Sequence, residues 1–168
     1  MVARNHGMVV TVASTAAYVT APNMVDYACS KAAALAFHEG LGVELKTKYG
    51  APKVRTVCIC PSYTKTALFQ GYSNDSTFLM PTFEPETVAE GIVKQVLSGQ
   101  SGQVIMPGFG ATLSLLKGFP HWWQIGVRTG VQGVMSKWSG RQVIDIEKEY
   151  SWGGKGKEKA DSDGGESR

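Results

Sequence analysis

The sequence of 168 residues is poor in the features that mark several protein classes. Cysteine is scarce: Cys29, Cys58 and Cys60 give an odd count and no C-x-x-C pair. That excludes a disulfide framework and points to reduced thiols in an intracellular protein. Cys58 and Cys60 alternate along a predicted strand and share one face, but no histidine accompanies them, so they make a poor zinc site. Charge is weak, with 17 basic and 14 acidic residues for a net +3, and no basic stripe is interleaved with aromatics. Nucleic acid is therefore not an expected partner. Residues 1–6 lack the apolar core of a signal peptide, and the apolar run Met8 to Ala13 is too short to span a bilayer. There are no internal repeats.

What is present is 43% hydrophobic content in a chain long enough for one domain with a real core. The stretch from Gly7 to Lys31 organises the rest. Gly7 to Ala13 is nearly continuous in apolar and β-branched residues, as in a strand covered on both sheet faces. Thr15 to Met24 reads as a loop containing Pro22, and 26–49 as a long helix. Tyr27 and Lys31 are four apart, so they share one helix face. An ammonium beside a phenol favours the phenolate and lowers the tyrosine pKa from about 10 toward working pH, as a general acid or base needs. Ser14 closes the strand thirteen residues before Tyr27, and its hydroxyl can hydrogen-bond a substrate oxygen. The trio suits proton transfer at a carbonyl or alcohol.

Ser14 followed by Tyr27-x-x-x-Lys31, between an apolar strand and a long helix, resembles the catalytic segment of the short-chain dehydrogenase/reductase family. The wording around it is most similar to the membrane-associated retinol and hydroxysteroid dehydrogenase subgroup. The resemblance implies NAD or NADP as cofactor, with Tyr27 and Lys31 reaching it and Lys31 holding its ribose. Pro61-Ser62-Tyr63-Thr64-Lys65-Thr66 resembles the family's P-G-x-x-x-T, with Ser62 in place of the glycine. This implies that Pro61, Thr64 and Thr66 lie on the cofactor side, near the nicotinamide. The family also packs its active-site helix against a mate, which implies a homodimer. Small residues Ala28, Ser30, Ala32 and Ala33 suit such close packing, whereas Gly40 and Gly42 weaken the helix.

Farther along, Lys53 to Cys60 is a second strand after the turn at 50–52, which makes a β-α-β crossover with parallel strands. Glu84-Pro85-Glu86-Thr87 opens a helix ended by Gly99, and Gln103 to Met106 is a short strand stopped by Pro107. Ahead of the first strand, Arg4 to Gly7 reads as a helix tail ended by Gly7. The fold class expected is α/β, a partial doubly wound Rossmann-like parallel sheet lacking its N-terminal nucleotide-binding half. No G-x-x-x-G-x-G turn stands ahead of Ser14, so the chain reads as the C-terminal half of a longer enzyme.

Residues 1–108 form the expected catalytic half, 109–150 an apolar helical extension and 151–168 a disordered tail without apolar burial to offset chain entropy. Leu68, Phe69, Tyr72, Phe78, Leu79 and Met80 either line a pocket for a lipophilic substrate or pack on the core. Trp122, Trp123 and Trp138, with Lys117, Arg128 and Lys137, either pack over the sheet or lie at a bilayer interface, peripheral to a membrane or lipid droplet. The expected location is the cytoplasm or the cytoplasmic face of the endoplasmic reticulum or a lipid droplet. Two functions compete. One is an NAD(P)-dependent oxidoreductase of alcohols and carbonyls on a lipophilic retinoid, steroid or lipid-like substrate. The other is an inactive membrane-surface or interaction fragment that binds no nucleotide.

Overall fold

The computed structural model describes residues 1–69 and 81–135. Strands β1 (Gly7–Val12), β2 (Val54–Pro61) and β3 (Gly102–Met106) form one parallel sheet in the order β1-β2-β3. Helix α1 (Val25–Thr47) connects the first pair and α2 (Pro85–Leu97) the second. After β3 the chain runs through 3-10 turns over Gly108–Gly118 into α3 (His121–Gly130).

The register decides which side chains share a face. Thr11 pairs with Cys58 and Cys58 with Gln103, and Cys60 pairs with Ile105. Leu35 of α1 packs with Cys58, Cys60 and Ile105, so α1 covers that face. A Cβ added at Gly91 of α2 would meet Met106 Sδ at 3.0 Å, and Met106 points away from Ile105. The two helices therefore cover opposite faces of the sheet. The near-continuous apolar run of β2 follows, and Val57, Cys58, Ile59 and Cys60 are fully buried.

β1 departs from the expectation of two covered faces. α2 packs on β2 and β3, and Val10 and Val12 stay 39% and 47% exposed. The N-terminus differs as well: a 3-10 turn at Val2–Arg4 ends on Asn5, not Gly7, with Asn5 in the left-handed region at φ 43°. Asparagine tolerates that conformation, and its Oδ1 accepts the Lys53 N–H at 2.9 Å, tying the N-terminus to the approach to β2.

Along α1 the buried stripe is Ala28, Leu35, His38 and Leu45, while Phe37 and Val43 face outward. Gly42 lies on the sheet side, where an added Cβ would meet Thr56 Oγ1 at 3.3 Å. His38 is buried with no hydrogen-bond partner on Nδ1, and burial, offset in part by Glu39, lowers its pKa. A depressed histidine pKa means that the unfolded chain binds the proton more readily than the folded one. Stability contributed by neutral His38 is thus present above about pH 6.5 and lost as pH falls from there toward the folded pKa. Urea unfolding at pH 7.5 and 5.5 should show this loss, and His38→Leu should reduce it; an equal pH dependence in both proteins would refute the assignment.

Candidate active site

Ser14 follows β1 at the point where the ladder ends, its extended backbone capping the 3-10 turn Thr15–Ala17. Its Oγ accepts the Ala16 N–H at 3.2 Å and donates to the Pro61 carbonyl at 3.2 Å, so the ends of β1 and β2 are pinned through one hydroxyl. Both strand ends lie where open α/β sheets bind ligands, beyond the carboxyl edge. Gly110 closes the turn from behind, because a Cβ there would meet Ile105 Cγ2 at 3.2 Å and Thr15 Cγ2 at 3.7 Å.

Tyr27 stands in the first turn of α1 and Lys31 one turn later. The Lys31 ammonium sits 5.7 Å from the Tyr27 ring centroid and donates to the Val12 carbonyl at 2.9 Å. Helix α1 thus returns its lysine to the end of the strand that Ser14 closes. Sequence spacing placed Tyr27 and Lys31 on one face, but only the crossover could bring Lys31 to β1.

Pro61 ends β2 and contributes the carbonyl that holds Ser14. Ser62, which stands where the resembled P-G-x-x-x-T pattern has glycine, is buried; its N–H donates to the Met106 carbonyl at 2.7 Å, and its hydroxyl donates to Pro81 O at 3.5 Å. Thr64 bridges to Phe83, and its hydroxyl donates to the Ser62 carbonyl at 3.3 Å. Thr66 is exposed, and its carbonyl accepts the Phe69 N–H at 3.1 Å. Lys65 pairs with Glu84 at the head of α2, which anchors the far side of this loop.

Two aromatic residues complete the site: Phe69, which the sequence left between pocket lining and core packing, and Tyr63, to which it gave no role. Phe69 is buried against Tyr27, with ring centroids 5.3 Å apart at 87°, and against Tyr63 at 5.6 Å and 66°. The Tyr63 hydroxyl donates to the Phe69 carbonyl at 3.1 Å, and burial raises its pKa despite the opposing charge of Lys65. Tyr63 is therefore a clamp, whereas Tyr27 is the phenol beside an ammonium. Phe69 packs with Ala16, Ala21, Met24 and Ala28, which makes it core rather than free lid surface. The only advance signal was its place in an apolar loop. Tyr72, Phe78, Leu79 and Met80 lie outside the described residues, as do Trp138 and the expected 151–168 tail.

Residues 1–77 match the family model described as short chain dehydrogenase. Over 117 residues the chain is 41% identical to estradiol 17-beta-dehydrogenase 11 of Rattus norvegicus, covering 70% of this chain and 38% of the relative. Over 109 residues it is 36% identical to 17-beta-hydroxysteroid dehydrogenase 13 of Mus musculus, covering 65% of this chain and 34% of that protein. The chain thus spans little more than a third of these relatives. A short chain dehydrogenase of Burkholderia cenocepacia J2315, solved in complex with NADP, is similar in fold with a TM-score of 0.52. That likeness covers 74% of this chain and 48% of the other at 23% identity.

Proposed function

We propose, from the match of residues 1–77 to the short chain dehydrogenase family model, that the protein is an NAD(P)-dependent oxidoreductase interconverting a lipophilic alcohol and its carbonyl. The observation that carries the reading is the ammonium of Lys31, held beside the Tyr27 ring and bonded to the last residue of β1. Tyr27 gives its proton to a carbonyl oxygen or takes one from an alcohol, and Lys31 stabilises the phenolate that results. Ser14 positions the substrate oxygen by turning its hydroxyl hydrogen from the Pro61 carbonyl toward it. The Phe69 ring holds Tyr27 from the side and limits water around the phenol.

The donor set fits one end of a dinucleotide. An ammonium has three N–H donors and Val12 takes one, which suits a ribose diol. Pro61 closes the carboxyl end of β2, and Thr64 and Thr66 follow it; in this reading they serve the nicotinamide. The bound cofactor supplies or accepts hydride, and the chain's own residues orient the substrate and manage its proton. The reading includes a homodimer through α1, whose Phe37 and Val43 face outward. The test is Tyr27→Phe in the native full-length polypeptide, assayed with NAD(H) and NADP(H) against a hydrophobic secondary alcohol and its ketone. Turnover near that of the unmodified protein would overturn the assignment.

A second reading, peripheral association with an anionic membrane at the cytoplasmic face, is favoured by the inverted polarity of α3. Its sheltered side carries Gln124, which donates to the Phe119 carbonyl at 2.7 Å, and Arg128, which donates to Gln124 Oε1 at 3.1 Å. Its outward side carries Trp122, 74% exposed, and Ile125. Residues 91–144 hold five cations (Lys94, Lys117, Arg128, Lys137, Arg141) and no carboxylate side chain, which complements anionic headgroups. Among the described residues no helix is long and apolar enough to cross a membrane. The chain should float with vesicles containing phosphatidylserine, and Trp122→Ser with Ile125→Ser should cut the bound fraction several-fold. Self-association without flotation would overturn this reading.

A further inference from the structure

Beneath α1 lies a group of side chains that the proposed reaction does not use. Cys58 and Cys60 are two apart on β2, so both face α1, and both are fully buried. Their sulfurs are 3.7 Å apart. The Tyr18 hydroxyl lies 3.9 Å from Cys60 Sγ, and Gln103 Nε2 donates to Cys60 Sγ at 3.6 Å as well as to the Tyr18 oxygen. One sulfur thus collects the Cys58 thiol, a phenol and an amide within a layer otherwise built from Ala13, Ala17, Leu35 and Ile105. Hydrogen bonding from Cys58, with lesser help from Gln103 and Tyr18, brings the Cys60 thiol down to about 7 against the opposing effect of burial. The same pairing and burial push Cys58 upward.

We propose that Cys58 and Cys60 form a peroxide-oxidisable dithiol, in which Cys60 is the sulfur that reacts with peroxide and Cys58 the resolving one. The Cys60 thiolate attacks hydrogen peroxide. An S–O bond forms, the O–O bond breaks, and hydroxide leaves and takes up a proton. The Cys58 sulfur then attacks the sulfenic acid: the S–S bond forms, the S–O bond breaks, and the hydroxyl leaves as water with the Cys58 proton. Two electrons pass from the sulfur pair to peroxide, and a dithiol reductant returns them. Peroxide is small and uncharged, and its entry is gated by local opening of α1 from β2.

Closing the bond has a structural consequence. Residues two apart on a strand have Cα atoms about 6.6 Å apart and near-parallel side chains, so their Cβ atoms stand farther apart than the roughly 3.5–4.5 Å of a disulfide. The bridge therefore draws β2 up between its two hydrogen-bonded neighbours. Cys60 directly precedes Pro61, whose carbonyl holds Ser14. Oxidation would displace that anchor; this last consequence rests on the oxidoreductase reading, whereas the thiol chemistry does not.

The test uses the full chain with Cys29→Ser, which removes the exposed thiol. After treatment with hydrogen peroxide in native buffer, the tryptic peptide Thr56–Lys65, which carries both buried thiols, should be lighter by two hydrogens. Dithiothreitol should restore it, and the oxidised protein should melt at lower temperature. With Cys58→Ser, dimedone should label Cys60. Two free thiols in that peptide, at peroxide exposures that oxidise Cys29 in the unmodified chain, would overturn the proposal, and so would labelling of Cys58 in Cys60→Ser at the rate of Cys60. These readouts need no enzyme activity, so failure of the oxidoreductase reading would leave them interpretable.

Discussion

Tyr27→Phe should lower kcat by a factor of about 10²–10⁴ or more, the usual worth of a positioned acid or base, while the protein stays folded. The ring is what the fold uses: it packs edge-on against Phe69, and phenylalanine keeps that contact. The hydroxyl is what the reaction uses. Loss of one hydrogen-bonding group changes stability by no more than about 1.5 kcal/mol, so the urea midpoint should move little. The split separates chemistry from packing. If turnover and stability fell together, Tyr27 would be a packing residue and the acid or base would have to be sought elsewhere.

Ile59→Ala should cost about 2–5 kcal/mol of unfolding free energy, a large share of the roughly 5–15 kcal/mol that holds an ordinary domain together. Ile59 is fully buried at the centre of the middle strand, paired with Val12 on one side and Val104 on the other. Truncation leaves a void that neither helix can fill without breaking contacts on its own face. Val10→Ala, on the edge strand with 39% exposure, should cost far less in this chain. Chemical denaturation of the two variants side by side measures the contrast. Equal losses would show that the open face of β1 is covered in solution.

The three strands and helices α1 and α2 were legible to within two residues at each end. Lys53 to Cys60 and Gln103 to Met106 read as strands because their apolar runs are bounded by glycine and proline, and Pro85 announced the start of α2. The error at the N-terminus came from weighing glycine as the helix stop, where Asn5 takes the left-handed position and gains a bond to Lys53 besides. On α1, apolar character alone did not separate Leu35, which is buried, from Phe37, which is not. Burial there depends on where the helix axis crosses the sheet, and no local pattern encodes it. Phe69 was left between pocket lining and core packing for the same reason, since its partner Tyr27 lies 42 residues away in sequence.

The sequence by itself determined the parallel α/β topology and the shared helix face of Tyr27 and Lys31, because both follow from short-range periodicity and from the short connections that parallel strands allow. It also placed Ser14 and Pro61 at strand ends. Only the tertiary structure decided that Ser14 bonds to Pro61, 47 residues away, that Lys31 returns to Val12, and that Tyr18 and Gln103 converge on Cys60. Such contacts depend on register and on the faces the helices choose. Those are settled by the burial of the whole sheet, a sum over residues distant in sequence, and not by any one segment of it.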